Sequence, residues 1–429
     1  MLALALVATA AGADGLTPRE QALAAAAGAG IDESIALLER AVNLNSGTLN
    51  PAGVRAAGEL FAGEFERLGF VVRRIDGTPF GRAGHWIAER AAARPGAPKV
   101  LLIGHLDTVF EPDHPFQRFE RLSPEAARGP GVIDMKGGVV VMLRALAALA
   151  EVGELERLHL VAVLHGDEES AGRPLELARA DLRAAAAGAD VALGFEDGDG
   201  NPATAVVARR GSTTWRLEVS GTPAHSSQIF QPGVGAGAIL EAARILDGFA
   251  ARLAAETDLT FNPGLLLAGG EVDFDAALAR GAASGKSNIV AARAVATGDL
   301  RAVTPEQLAR ARAAMLEVVA RPLPGTSATL AFDEGYPPMG AREGNLRLLA
   351  LYDQASRDLG HGPVAAVDPR NAGAADISFI AADVPMALDG IGLMGQGGHT
   401  AGETADLATL PMQARRAALL LSRLAGPPR

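Results

Sequence analysis

Apolar positions along the chain fall into two kinds of run. In Ile31–Leu44 they recur at Ile31, Ile35, Leu38, Ala41 and Val42, one face of an amphipathic helix. A second helix opens at Pro51 and Gly53, runs through Leu60, Phe61, Phe65 and Leu68, and closes at Gly69. Three shorter runs are almost wholly apolar: Val100–Gly104, Leu158–Leu164 with His159 as its one polar position, and Val191–Phe195. They read as strands buried on both faces. Phe70–Ile75 and His85–Ala88 are further strand candidates, and Val139–Ala150 reads as a strongly apolar helix. Helices between buried strands predict an α/β fold, a sheet with helices on both faces.

Near Arg209 the pattern changes. Gly211–Val219 alternates, with Trp215, Leu217 and Val219 on one side, as a half-buried strand does. Helices follow at Gly233–Phe249 and Leu308–Ala320, the latter opened by Thr304-Pro305-Glu306-Gln307, with two more strands between them. After Tyr336-Pro337-Pro338 the sheet-and-helix pattern returns, with helices at Leu346–Asp358 and Met412–Leu424. This predicts a main domain in two parts, 16–209 and 333–429, around an inserted smaller α+β domain, 210–332.

The dense runs share an ending. Val100–Gly104 leads into His105-Leu106-Asp107, Leu158–Leu164 into His165-Gly166-Asp167-Glu168-Glu169, and Val191–Phe195 into Glu196-Asp197. In open α/β sheets ligands sit beyond the carboxyl ends of strands. On extended backbone His105 and Asp107 leave on the same side. Asp134 sits where Gly129–Gly138 meets a helix start, where a carboxylate is electrostatically favoured.

Composition narrows the chemistry. Among 429 residues there is no cysteine, so thiolate metal sites, disulfides and cysteine nucleophiles are excluded. The formal charge of −11 and 4% aromatic content argue against a nucleic-acid partner. No apolar run reaches the ~18 residues of a membrane span. Leu2–Val7 followed by Ala11-Gly12-Ala13 resembles the end of a secretory signal peptide, although no basic residue precedes Arg19. Residues 1–15 are expected to be a clipped signal or a flexible tail. The first places the protein in the periplasm or outside the cell, the second in the cytoplasm.

The strand-end set, with His399 from a Gly-rich stretch, is His105, Asp107, Asp134, Glu168, Glu169, Glu196 and His399. Histidines and carboxylates in these numbers suit two divalent ions about 3.5–4 Å apart, sharing a carboxylate. Without thiolate the donors suit zinc, with cobalt or manganese as alternatives. Adjacent Glu168 and Glu169 allow one to ligate while the other serves as general base.

Six motifs then occur in order: Gly104-His105-Leu106-Asp107-Thr108, Gly131-Val132-Ile133-Asp134-Met135-Lys136-Gly137-Gly138, Asp167-Glu168-Glu169-Ser170-Ala171-Gly172, Gly221-Thr222-Pro223-Ala224-His225-Ser226, Ser287-Asn288-Ile289-Val290 and Gly398-His399-Thr400. From about Ile31 to its end the chain resembles the zinc-dependent exopeptidase family of glutamate carboxypeptidase, aminoacylase, acetylornithine deacetylase and succinyl-diaminopimelate desuccinylase. The resemblance implies one zinc on His105 and Glu196, another on Glu169 and His399, and Asp134 as the bridge. It implies that Asp107 orients His105, that Glu168 is the general base, and that the Asp134–Met135 peptide is cis. It makes the insert a lid and dimerisation domain, with His225 of one copy stabilising the oxyanion in its partner's site. It assigns Asn288 and Arg301 to the substrate's terminal carboxylate.

The implied activity is hydrolysis of an amide bond beside a free carboxylate by a metal-activated hydroxide, of glutamate-carboxypeptidase type, on a small peptide. Deacylation of an N-acyl amino acid uses the same machinery and is the alternative. A catalytically silent binding protein on this scaffold would have lost Glu168 or a ligand. No G-x-x-x-x-G-K-[ST] occurs, so a P-loop enzyme fails on motifs.

Overall fold

The computed structural model describes residues 15–276, 278–333 and 335–426. The expected signal or tail at 1–15 lies, but for Gly15, outside the described residues. The chain divides into two compact units: Met1–Val207 with Ala341–Val367 and Phe379–Arg429, and Ala208–Gly340 with Asp368–Ser378.

The first unit is built on a six-stranded mixed sheet. Its strands are β1 (Val71–Asp76), β2 (Gly84–Arg90), β3 (Lys99–His105), β4 (His159–His165), β5 (Val191–Gly194) and β6 (Met386–Leu388), in the order β1-β2-β4-β3-β5-β6. β1, β2 and β4 pair antiparallel, while β4, β3, β5 and β6 run parallel. Consecutive residues of β3, β4 and β5 are buried almost without exception. Neighbouring side chains on a strand point to opposite faces, so both faces are covered. That is why these strands read as near-continuous apolar runs. Helices α1 (Pro18–Ala27), α2 (Ile31–Val42), α3 (Pro51–Arg67), α4 (Lys136–Glu151), α5 (Glu343–Asp358) and α6 (Thr409–Leu424) complete the layers.

α4 is buried along most of its length. Gly138 in its first turn has a packing reason: a Cβ there would lie 1.8 Å from the Phe195 carbonyl oxygen, just past β5. α1 falls where the sequence reading placed no helix, although Thr17 and Glu20 form a capping box with Pro18 between them. The polar stretch 111–128, which no apolar pattern marks, contains the strands Glu120–Ser123 and Ala126–Arg128, which join Thr404–Asp406 and Gly395–Gln396 in a small antiparallel sheet.

The second unit has a four-stranded antiparallel sheet, ordered Thr260–Gly269, Arg293–Arg301, Thr213–Gly221 and Thr326–Phe332. Burial alternates along Thr213–Gly221. Trp215, Leu217 and Val219 pack in one core with Ile245 and Phe249 of helix Gly237–Leu253 and Met315 of helix Pro305–Val319. This unit takes in Asp368–Ser378, which the reading of 333–429 as main domain assigned elsewhere. The reason is local: Arg209 Nη1 donates to the Gly373 carbonyl at 2.9 Å and Arg210 Nη2 to that of Arg370 at 3.0 Å. Bonds from side chains to carbonyls leave no trace in an apolar pattern.

Candidate metal centre

β3, β4 and β5 are parallel and in adjacent register, so their carboxyl ends open on one edge. His105 ends β3, Glu168 and Glu169 lie just past β4, and Glu196 just past β5. Asp134 lies in the loop before α4, and the Asp134–Met135 peptide is cis.

These residues converge. His105 Nε2 lies 3.0 Å from Asp134 Oδ1 and 3.7 Å from Glu196 Oε1. His399 Nε2 lies 2.9 Å from Asp134 Oδ2 and 2.9 Å from Glu169 Oε2. The donors form two groups, His105–Asp134–Glu196 and Asp134–Glu169–His399, each with ligand atoms within 4.8 Å of one another. Asp134 contributes one oxygen to each group.

The charges at the centre show what it fits. Burial pulls His105 toward neutrality, but Glu196, Asp107 and Asp134 overcome this and hold its pKa well above the usual imidazole range. Hydrogen bonds to Asp134 and Glu169 push His399 to about 11. Burial opposes ionisation of Asp134, yet its bonds to the two imidazoles hold its carboxyl well below the usual range. Burial and the charge on Asp134 raise Glu169 to about 7. Three carboxylates at one buried point require positive charge, which protonated imidazoles provide in the bare chain. Divalent cations with imidazole and carboxylate ligands meet the same requirement. The donor set therefore fits two ions, with Asp134 between them.

Asp107 is fully buried and does more than face His105. Its Oδ1 lies 3.4 Å from His105 Nδ1 and accepts the Glu168 N–H at 3.0 Å. Its Oδ2 accepts the Glu169 N–H at 3.1 Å and the Thr48 hydroxyl at 2.6 Å. The loop carrying Glu168 and Glu169 is gripped at its other side by Asp167. That carboxylate accepts from Arg179 Nη1 at 2.8 Å and from the Gly172 N–H at 2.8 Å, while Arg179 Nη2 donates to the Asp167 carbonyl at 3.2 Å.

Glu403 and Lys136 are buried nearby. Glu403 Oε2 accepts from Gly131 N at 2.9 Å, and Oε1 from Ile133 N at 2.9 Å and Asp134 N at 3.2 Å. Burial raises its carboxyl to about 7 against those bonds. Lys136 Nζ donates to the Leu44 carbonyl at 2.9 Å, and burial draws its ammonium down to about 7. Sequence reasoning missed Thr48, Arg179 and Glu403 as parts of the site. Thr48 holds the Asp107 carboxylate, while Arg179 and Glu403 each hold a loop, roles with no residue spacing of their own.

His225, Asn288 and Arg301 belong to the second unit. His225 is exposed, and its Nδ1 lies 2.9 Å from Ser227 Oγ. His225 and Asn288 are neighbours: Ser226 N donates to the Asn288 carbonyl at 2.8 Å, and His225 bridges Ile289. Arg301 is elsewhere. It ends the Arg293–Arg301 strand, with Nε 2.8 Å from Asp299 Oδ2, while Asn288 precedes the start of that strand. At about 3.3 Å per residue the strand alone spans roughly 26 Å. Asn288 and Arg301 of one chain therefore stand toward opposite ends of that strand.

The model of the peptidase family M20/M25/M40 matches residues 101–423. The chain is 27% identical over 399 residues to Carboxypeptidase G2 of Pseudomonas sp. (strain RS-16), covering 91% of this chain and 89% of that protein. Aminopeptidase PepT of Bacillus cereus ATCC 10987 has the same fold, with a TM-score of 0.71 at 18% identity over 92% of this chain and 99% of that one. So does the YXEP protein of Bacillus subtilis, a dinuclear metal-binding peptidase of the M20 family, with a TM-score of 0.63 at 13% identity over 92% and 98%.

Proposed function

We propose that this chain, which belongs to peptidase family M20/M25/M40 and is a dinuclear metal-dependent hydrolase, cleaves the amide bond beside a free carboxylate of a small peptide, as a carboxypeptidase of the glutamate type. The observation that carries the reading is Asp134, one carboxylate shared by two donor groups, with Glu168 on the same loop as the ligand candidate Glu169. The similarity to Carboxypeptidase G2 along most of both chains supports the choice of substrate end.

His105, Asp134 and Glu196 would hold one ion, and Asp134, Glu169 and His399 the other. Zinc suits this set best, with cobalt or manganese able to replace it. When bound, the ions supply Lewis acidity toward the scissile carbonyl and lower the pKa of a water. Glu168 would take a proton from the attacking water and deliver it to the leaving nitrogen. Asp107 keeps Glu168 in place through its backbone and His105 through its ring. His225, with Asn288 beside it, donates to the oxygen that becomes negative in the transition state. The second unit serves as the lid and as the contact between two copies, and His225 acts in the partner's site. Arg301 suits bidentate recognition of the substrate carboxylate, once released from Asp299.

Deacylation of an N-acyl amino acid needs the same centre and differs only in what lies on the acyl side. One screen separates the readings: zinc-loaded protein against dipeptides and N-acyl amino acids ending in Glu, Asp, Leu or Orn, each as free acid and as C-terminal amide. Hydrolysis of the free acids, lost in Glu168→Ala, is the expected result. Equal turnover of the amides, or turnover by Glu168→Ala, overturns the proposal.

A further inference from the structure

The Asp134 loop is held by a carboxylate that ligates nothing. Glu403 is 1% exposed and lies in neither donor group. Its two oxygens accept three backbone N–H groups, those of Gly131, Ile133 and Asp134. A carboxylate engaged this way has its directed lone pairs turned toward the loop and away from an ion. The loop leads into α4, with Lys136 N donating to the Gly131 carbonyl at 2.9 Å. An anion just before a helix start is electrostatically favoured, so Glu403 has a stable seat there.

Its position in the chain matters as much. Two consecutive tight turns link His399 to Glu403: Thr400 N donates to the Gly397 carbonyl at 3.0 Å and Glu403 N to the Thr400 carbonyl at 3.0 Å. Gly129 N donates to the Glu403 carbonyl at 3.3 Å, and Thr404 then pairs with Arg128 in the small sheet. The segment bearing His399 and the loop bearing Asp134 are thus tied together at one side chain.

We infer that Glu403 is the positioning residue for the bridging ligand: it fixes the backbone of Asp134 relative to His399, and so sets the spacing of both ion sites at once. The inference rests on the two-ion reading of the centre. Ligand-supporting groups of this kind change metal affinity by about 10–100-fold when removed. A group that supports the bridge should act on both ions, whereas a group that supports a terminal ligand should act mainly on one.

The test is cobalt(II) titration of the metal-free full chain, read by visible absorption and by bound metal, with the unfolding midpoint of the metal-free protein measured alongside. Wild type and Glu168→Gln should bind two ions with similar spectra. Glu403→Gln places an N–H group against backbone donors, and should weaken both binding steps by about tenfold or more and shift the absorption band. Glu403→Asp keeps the charge but withdraws it from the loop, and should fall between. Wild-type affinity and spectrum in folded Glu403→Gln overturn the inference, even if that variant melts earlier, because the residue then serves the fold alone. If Glu403→Gln does not fold, the same result in Glu403→Asp overturns it. Wild type that binds fewer than two ions overturns both readings. Wild type that binds two ions yet hydrolyses nothing defeats the proposed function only, and Glu403→Gln still decides this one.

Discussion

The Asp107 carboxylate accepts the backbone N–H of Glu168 at 3.0 Å through the same oxygen that lies 3.4 Å from the His105 ring nitrogen. One buried group therefore fixes a ligand candidate and the proposed general base together. Replacing it by asparagine puts an N–H donor where at least one acceptor is needed, since both oxygens already receive amides. Asp107→Asn should weaken metal binding by about 10–100-fold. At saturating zinc kcat should remain depressed, because Glu168 stays displaced. Metal content and kcat across a zinc titration check this; full recovery of kcat would confine Asp107 to the ligand.

Metal removal should cost stability as well as activity. The donor groups draw on three strand ends, the α4 loop and the His399 segment, so ions bind the folded chain and not the unfolded one. At free metal 100 times the dissociation constant, each ion should stabilise the fold by about 2.7 kcal/mol. Thermal unfolding with chelator and with added zinc measures the difference, and zinc should restore hydrolysis in the same sample.

Much of this was legible in the sequence because β3, β4 and β5 are buried on both faces and end in polar residues. Near-continuous apolar runs ending in His105, Glu168–Glu169 and Glu196 mark the edge where ligands gather. What was not legible acts through the backbone. Thr48 and Glu403 are separated from the residues they hold by long stretches of chain, and their bonds go to a neighbouring carboxylate or to amides. α1 carried a readable capping box, but the abundance of alanine hid its helical pattern.

The Asp167–Arg179 pair should be costly to break. Both residues are fully buried, with Nη1 and Oδ1 2.8 Å apart. Removing one partner of a buried pair leaves a desolvated charge, at a typical cost of about 3–5 kcal/mol. Arg179→Met should lose that much in urea unfolding of the metal-free protein. The double variant Arg179→Met, Asp167→Asn should recover part of it, since no bare charge remains. Equal losses in single and double variants would contradict the pairing.

His361 should give the fold a pH dependence of its own. Burial, with the charges of Arg416 and Arg415, lowers its pKa. Its buried Nε2 has no hydrogen-bond partner among the described residues. The folded chain thus binds fewer protons than the unfolded chain just below the unfolded imidazole pKa, about 6.5. Stability contributed by the neutral ring is full above that value and is lost as pH falls below it. His361→Gln should flatten the fall in stability between about pH 6.5 and 5, as read from urea midpoints of zinc-free wild type and variant. An unchanged slope would show that the ring titrates normally.

His225 and Asn288 should behave as one functional unit and Arg301 as another. The first two are tied through Ser226 and Ile289, while Arg301 lies at the far end of a nine-residue strand. If His225 donates to the developing oxyanion, His225→Ala should reduce kcat by about 10²–10³ with little change in bound metal. Asn288 meets this turn through its main-chain carbonyl, so Asn288→Ala keeps the turn and reads the amide side chain alone; if that amide serves the same substrate group as His225, adding it to His225→Ala should cost far less than it does alone. Residues in contact are expected to be non-additive in this way. Arg301→Ala should mainly raise KM for substrates with a free carboxylate, and that loss should multiply with the loss from His225→Ala. The decisive measurement is the double-mutant cycle on kcat/KM. Independent effects of His225 and Asn288, or coupling of either to Arg301 as strong as their own, would show that the two ends of the strand meet at one substrate group after all.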